Sequence, residues 1–234
     1  MTPDLQFKDR PPMARYAIIA FAIIGLGALA YSAMNPVVFP PASHVLLLFA
    51  AAVVTSQPKV RLYKRSTLSL LTVVVLVAVI REGLAVSVLA AMCGVAAQTY
   101  LPDRKLVLHR LVFNMGMIAG TVVTTWWVYC GLAAANPVGP LSPQVTATIL
   151  AAFTYFLGNT ISVSLIIALS QDASIVQIWL KHFLGSAPAY LMAGLLALVA
   201  IASVDSGSVV TILALIAVTS ISYFSSVRAA AERL

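Results

Sequence analysis

The sequence predicts an all-α, polytopic transmembrane helical bundle of about eight membrane-embedded helices, six long spans and two short helices, with both termini cytoplasmic. Three observations predict it. Hydrophobic residues make up 61% of 234 positions and charged residues 9%, more apolar side chain than one soluble core can hide. The charges cluster between long apolar runs. Counting each run as a crossing places thirteen of the fourteen Lys and Arg residues on one side, the bias expected of cytoplasmic loops.

A charged cytoplasmic tail (residues 1–13) precedes the bundle (14–227), and a charged, Ala-rich, helix-forming stump (228–234) follows it. The first run, 14–34, extends roughly 31 Å at helical rise, enough for a hydrocarbon core of about 30 Å. It follows a Pro-containing charged segment without a small-residue cleavage pattern before Pro40, so it reads as a retained span. The runs at 43–57 and 66–80 are marginal in length. They either cross with help from flanking residues or form a hairpin that enters and leaves on one side. Both readings preserve the parity of the remaining runs, 84–101, 106–131, 145–170, 183–203 and 208–227.

With the N-terminus inside, the inner segments hold Lys8, Arg10, Arg15, Lys59, Arg61, Lys64, Arg65, Arg104, Lys105, Arg110, Lys181, Arg228 and Arg233, and Arg81 alone lies outside. Basic loops beside anionic headgroups account for the formal charge of +7, so membrane lipids are expected partners and nucleic acid is not. Prolines stiffen the outer turns at 35–41 and 133–144, and Trp126, Trp127 and Tyr129 form an aromatic belt before the second of them.

The sequence offers no catalytic constellation, so the chain is expected to be no enzyme and to need no cofactor or metal. Cys93 and Cys130 lie at different depths and do not suggest a disulfide. His44, His109 and His182 lack metal-ligand spacing. Gly25-Leu26-Gly27 is embedded in an apolar helix and suits helix packing rather than phosphate binding. A mid-membrane carboxylate is missing, which weighs against a proton- or sodium-coupled carrier.

The candidate ligand or interhelical polar site is Asn114, Asn159, Arg110 and Thr160. Arg110 and Asn114 are one helical turn apart and share a face. An Asn turned toward lipid leaves its amide unpaired, so both are expected to face the bundle interior. One reading joins them in a common polar pocket or through a bridging water, with Arg110 at the cytoplasmic rim. The other has each bond separately to a neighbouring backbone group or hydroxyl. Arg81, Trp126 and Trp127 are the candidate outer mouth, although a tight turn at Arg81-Glu82-Gly83 also accounts for that charge pair. In the stretch 171–181, Ser174 is placed to cap a short helix with Ile175, Ile178 and Trp179 on one face and Gln177 and Lys181 turned away. That pattern fits an amphipathic interfacial helix or a docking strip for a soluble partner.

Two blocks of sequence resemble a known family. His109-Arg110-Leu111-Val112-Phe113-Asn114 is one, and Tyr155-Phe156-Leu157-Gly158-Asn159-Thr160 the other. The second continues through Trp179, Phe183-Leu184 and Tyr190-Leu191. They resemble the multi-span N-terminal membrane module of bacterial HD-GYP and diguanylate-cyclase (GGDEF) signalling proteins, over roughly residues 70–227. In general helical arrangement the chain also resembles substrate-binding subunits of energy-coupling-factor transporters. Relatives of the first kind continue into PAS, GGDEF or HD-GYP domains, whereas this sequence ends at Leu234 without such a domain. The resemblance implies a sensory input role in the bacterial inner membrane. Its partner would be a separate cytoplasmic output protein or a second copy, and its signal a small-molecule ligand. The alternative expectation is a membrane substrate-binding or transport subunit whose driving energy comes from a partner.

Overall fold

The computed structural model describes residues 7–35, 42–56, 59–63, 66–101, 106–134 and 142–205. Eight helices are described: α1 (Pro12–Met34), α2 (Ala42–Ser56), α3 (Leu70–Arg81), α4 (Leu84–Tyr100), α5 (Leu108–Ala133), α6 (Pro143–Gln171), α7 (Ile175–His182) and α8 (Ala187–Asp205). Four segments are long and apolar enough to cross a membrane, namely Pro12–Met34, Leu108–Ala133, Pro143–Gln171 and Ile175–Ala202; shorter apolar helices join them. The last of these contains α7, a 3-10 turn at Leu184–Ser186 and α8. The expected span at 208–227 and the stump at 228–234 lie outside the described residues.

What the helices bury identifies the solvent. On α1 the buried residues are Ala14, Ile18, Gly25, Ala28 and Ser32, while Ile19, Ile23 and Leu26 are 48%, 64% and 68% exposed. On α8 the fully buried positions are Ala189, Ala193 and Ala197, and Met192, Leu195 and Val199 face outward. Small residues inside and large apolar residues outside invert the soluble pattern. They suit helices that pack closely against one another within lipid.

Helix α5 is the hub, packed against α1, α4 and α6. Its approach to α1 is made by glycine: a Cβ on Gly25 would lie 2.6 Å from the Cα of Gly116, and one on Gly116 would overlap the Phe21 carbonyl. One turn on, a Cβ on Gly120 would meet Ile24 at 2.6 Å. Gly116-Met117-Ile118-Ala119-Gly120 is thus a small-xxx-small face seated on α1. Gly158 plays the same part between α6 and Thr121 of α5, and Gly194 between α8 and Ala152 of α6.

The two short runs resolve differently from one another. Helix α2 covers nearly the whole of the first, but the second is not helical throughout. Its first residues form strand β2 (Ser66–Ser69), antiparallel to β1 (Lys59–Tyr63), with Val60 opposite Leu68 and Arg61 opposite Thr67. The order Lys59-Val60-Arg61-Leu62-Tyr63 alternates with period two, a strand signal that the apolar count over 66–80 obscures. What remains is α3, whose 12 residues reach only about 18 Å. Leu70, Leu71, Val73, Val75, Leu76, Ala78 and Val79 are all buried among α2, α4 and α8, so α3 is a core helix apolar on every side. Gly83, at φ +82°, reverses the chain into α4.

Local chemistry sets the remaining boundaries. Ser142 caps α6 by accepting from the Val145 N–H at 3.4 Å, with Pro143 at the first helical position. Asp172 ends α6 in the left-handed conformation (φ 50°), and the Ala173 N–H returns to the Ala168 carbonyl at 3.1 Å. Ser174 then accepts from the Gln177 N–H and starts α7. The expected run from Phe183 is interrupted by the 3-10 turn, and α8 begins beside Pro188, which has no N–H to continue a helix. The tail expected over 1–13 is partly folded: Phe7–Asp9 is a 3-10 turn, and Phe7 packs near His109, with ring centroids 6.2 Å apart.

Candidate functional site

The two asparagines occupy different helix junctions. On α5, the Asn114 amide donates to Thr99 Oγ1 of α4 at 3.0 Å. On α6, the Asn159 amide donates to the Tyr190 hydroxyl of α8 at 2.6 Å. Each therefore bonds to a hydroxyl of its own neighbour, as in the separate-bond reading, and the expected common pocket is not what these contacts build. The chain separations of the pairs, 15 and 31 residues, explain why helical periodicity selects the inward face but not the partner.

Around Asn159 a larger cluster assembles from three helices. Thr160 is buried; its hydroxyl donates to the Phe156 carbonyl at 2.7 Å and accepts from the Trp179 indole N–H at 2.9 Å. The Phe156 ring lies between Trp179, at 5.9 Å, and Tyr190, at 5.2 Å, and Tyr155 approaches Tyr190 at 6.1 Å. Ser164 continues the polar ladder by donating to the Thr160 carbonyl at 2.8 Å. The buried polar atoms of α6 thus hold α7 through Trp179 and α8 through Tyr190. An indole N–H withdrawn from water without a partner is costly, so the bond to Thr160 helps to seat the half-buried Trp179 on α6.

Helix α7 buries Ile178 and half-buries Trp179 against α6, whereas Ile175, expected on the same face, is 38% exposed. Val176 and Leu180, one turn apart, face outward with it, and Gln177 and Lys181 are exposed. The helix carries an inner apolar edge, an outer apolar edge and a polar face between them, the arrangement of a helix lying in a membrane interface.

Arg110 and Asn114 do meet, in a cavity of about 190 Å³ also lined by Arg10, His109, Ile18, Phe113, Val163 and Ile166. The Arg10 Nε–H donates to His109 Nε2 at 3.2 Å, and its Nη1 reaches Ser170 Oγ at 3.4 Å. The sequence reading missed Arg10 here, because nothing in local spacing brings residue 10 beside residues 109 and 170.

The three outer-mouth candidates have three different surroundings. Trp127 is half exposed; its indole N–H donates to the Tyr31 hydroxyl at 3.0 Å, with the rings edge to face at 5.5 Å and 79°. Trp126 turns the other way and packs against the core around Leu84, Val88 and Val122. Arg81 is exposed at the end of α3, in the turn with Glu82 and Gly83.

These geometries predict the outcome of a double-mutant cycle. Asn114→Leu and Asn159→Leu should each cost about 0.6–2 kcal/mol, the range for an interhelical hydrogen bond in a membrane bundle. With separate partners the two costs should add within about 0.5 kcal/mol in unfolding titrations of the purified chain. A larger coupling energy would show that the residues share a site.

No family model, curated protein or solved structure matches this chain, so the resemblance rests on the residue blocks alone.

Proposed function

We propose that the chain is a non-enzymatic sensory or input module of the bacterial inner membrane, with α7 as its transmitting element. In this reading the N-terminus, the β1–β2 ribbon, α7 and the C-terminus lie on the cytoplasmic side. Helices α1 to α6, α8 and the 208–227 run account for eight embedded helices. The basic residues of the sequence support that orientation. The observation that carries the functional reading is the Trp179 to Thr160 hydrogen bond. Through it a surface helix is tied to the buried polar ladder of α6, and the Asn159 to Tyr190 bond ties that ladder to α8. A change in packing at α6 then alters the seat of α7, where a cytoplasmic output protein or a second copy reads it. A signal shifts such a module only through different affinities for its two packings.

Fusing a diguanylate-cyclase output domain after Leu234 tests this. Trp179→Phe and Tyr190→Phe each remove one hydrogen bond, worth about 1 kcal/mol. The ratio of output states should therefore shift by roughly fivefold. Cyclic dinucleotide production unchanged by either variant and by a panel of candidate signals would sink the proposal.

The alternative, a substrate-binding or transport subunit, calls for capture at the outer end. The cavity at Arg110 and Asn114 lies instead about 24 Å along α5 from Trp126, at the opposite end of that helix. Its position favours the sensory reading.

A further inference from the structure

Helix α7 has two apolar edges, and the cluster around Thr160 uses one of them. The inner edge is Ile178, buried, and Trp179, half-buried against α6. The outer edge is Val176 and Leu180, one turn apart and 62% and 52% exposed. Trp179 is bonded inward to Thr160, so α7 cannot roll to bury the outer edge in place of the inner one without breaking that bond. Between the edges Gln177 and Lys181 are exposed; the first turn of α7 has no acidic residue and the last turn holds Lys181 and His182. Outward apolar positions continue beyond the helix, with Leu184 in the 3-10 turn and Leu191 and Met192 early in α8 exposed as well. Only residues 172–174 separate α7 from α6, and only 183–186 from α8. That tether keeps the outer edge beside the lipid-facing surfaces of two membrane helices.

We infer that the outer edge of α7 docks on anionic phospholipid of the leaflet on its own side, with Val176 and Leu180 among the upper acyl chains and Lys181 against headgroup phosphate. An amphipathic helix at an interface sinks its apolar side into the boundary between headgroups and chains, and lysine on its polar side adds attraction to anionic lipid. Lys181 suits that place because its alkyl stem lies along apolar surface while its ammonium reaches the phosphate. Charge selects lipid over a second copy of the chain as the occupant. A second α7 on this edge would bring another Lys181 and no acidic residue, whereas an anionic leaflet supplies the opposite charge. Resting on the sensory reading, this docking gives that reading its signal: the charge of the lipid surface pulls on the outer edge of α7 and so biases the seat that Trp179 makes on Thr160.

Fluorescence quenching by lipid in nanodiscs tests it. The purified full-length chain, with Cys93 and Cys130 changed to serine, carries a bimane on a single cysteine, Val176→Cys, Gln177→Cys or Leu180→Cys. All three positions are exposed, so the label has room without repacking the bundle. The quencher is phospholipid with a nitroxide on the acyl chain near the headgroup. Val176→Cys and Leu180→Cys should lose roughly half or more of their emission, since an interfacial helix sinks its apolar side by about 5–10 Å. Gln177→Cys should lose far less. At equal mole fraction, nitroxide phosphatidylglycerol should associate with the Leu180→Cys label about fivefold more strongly than nitroxide phosphatidylcholine, the effect of one lysine near an anionic surface. Lys181→Gln should bring the two lipids level. Equal quenching at all three positions overturns the inference. So does a label at Val176→Cys and Leu180→Cys that lipid does not reach, as a protein partner on this edge would make it, and so does equal association of the two lipids while Lys181 is present. The cyclase fusion is read separately. Selective quenching beside an output that ignores phosphatidylglycerol would sink the sensory reading and leave the docking standing.

Discussion

Replacing Gly116 with leucine is expected to cost about 3 kcal/mol or more, because no flexible group is available to give way. The atom in the path of the new Cβ is the backbone carbonyl oxygen of Phe21, and Gly25 closes the other side with a backbone contact of its own. Helices α1 and α5 must therefore separate. Separation also breaks the edge-to-face contact of Phe21 with Phe113, at 5.0 Å and 79°, and uncovers Ile18 and Met117. Gly27 provides the control, since a Cβ there meets nothing within 4 Å. Gly27→Ala should leave stability unchanged or raise it by up to about 1 kcal/mol through helix propensity. Denaturant titration of both variants in detergent micelles, followed by circular dichroism, separates the outcomes. Equal stability of the two would show that the glycine face is not the contact between α1 and α5.

Phe156→Ala is expected to cost about 3–5 kcal/mol, the range for removing a fully buried aromatic ring. Phe156 is 1% exposed, and its ring supports both Trp179 and Tyr190. The loss is therefore not confined to a cavity: α7 and α8 lose a shared wall, and the Trp179 to Thr160 hydrogen bond loses the packing that excludes water from it. With Trp126 and Trp127 changed to phenylalanine, emission reports on Trp179 alone. It should shift to the red in Phe156→Ala as the indole becomes wet. An unshifted spectrum together with full stability would mean that α7 is seated by something other than this cluster.

The parts of this architecture readable in the sequence are those governed by local rules. The long apolar runs match α1, α4, α5 and α6 to within about two residues, because caps such as Ser142, helix starters such as Pro143 and breakers such as Gly83 act on their own neighbourhood. Ser174 caps α7 as its side-chain chemistry implies. The second short run, 66–80, is harder to read, since the strand-like alternation at Lys59–Tyr63 competes with the continuous apolar run beyond it. Two signals stood in the sequence unread. One is the Gly116 and Gly120 pair; the other is the Ala189, Ala193 and Ala197 stripe, both with the four-residue spacing of close helix packing.

The candidate site was legible only in part, for a physical reason. A polar residue in an apolar helix must face protein, so Asn114, Asn159 and Thr160 could be selected from chemistry alone. Which partner each one meets depends on how helices dock, and the Thr99 and Tyr190 hydroxyls and the Trp179 indole carry no local mark of that role. Arg10 is the extreme case. It reaches His109 and Ser170 across 99 and 160 residues of chain, a pairing set by the meeting of three helix ends.

In the proposed orientation α7 lies on the surface of a membrane bundle, on the side of Asp9 and opposite the α3–α4 turn. Cysteine accessibility tests it most directly. In a background with Cys93 and Cys130 changed to serine, single cysteines at Asp9, Gln177 and Arg81, all exposed positions, are offered a membrane-impermeant maleimide. The account predicts that Arg81→Cys reacts in intact cells, while Asp9→Cys and Gln177→Cys react only in inverted vesicles. Labelling of Gln177→Cys from the same side as Arg81→Cys would contradict it.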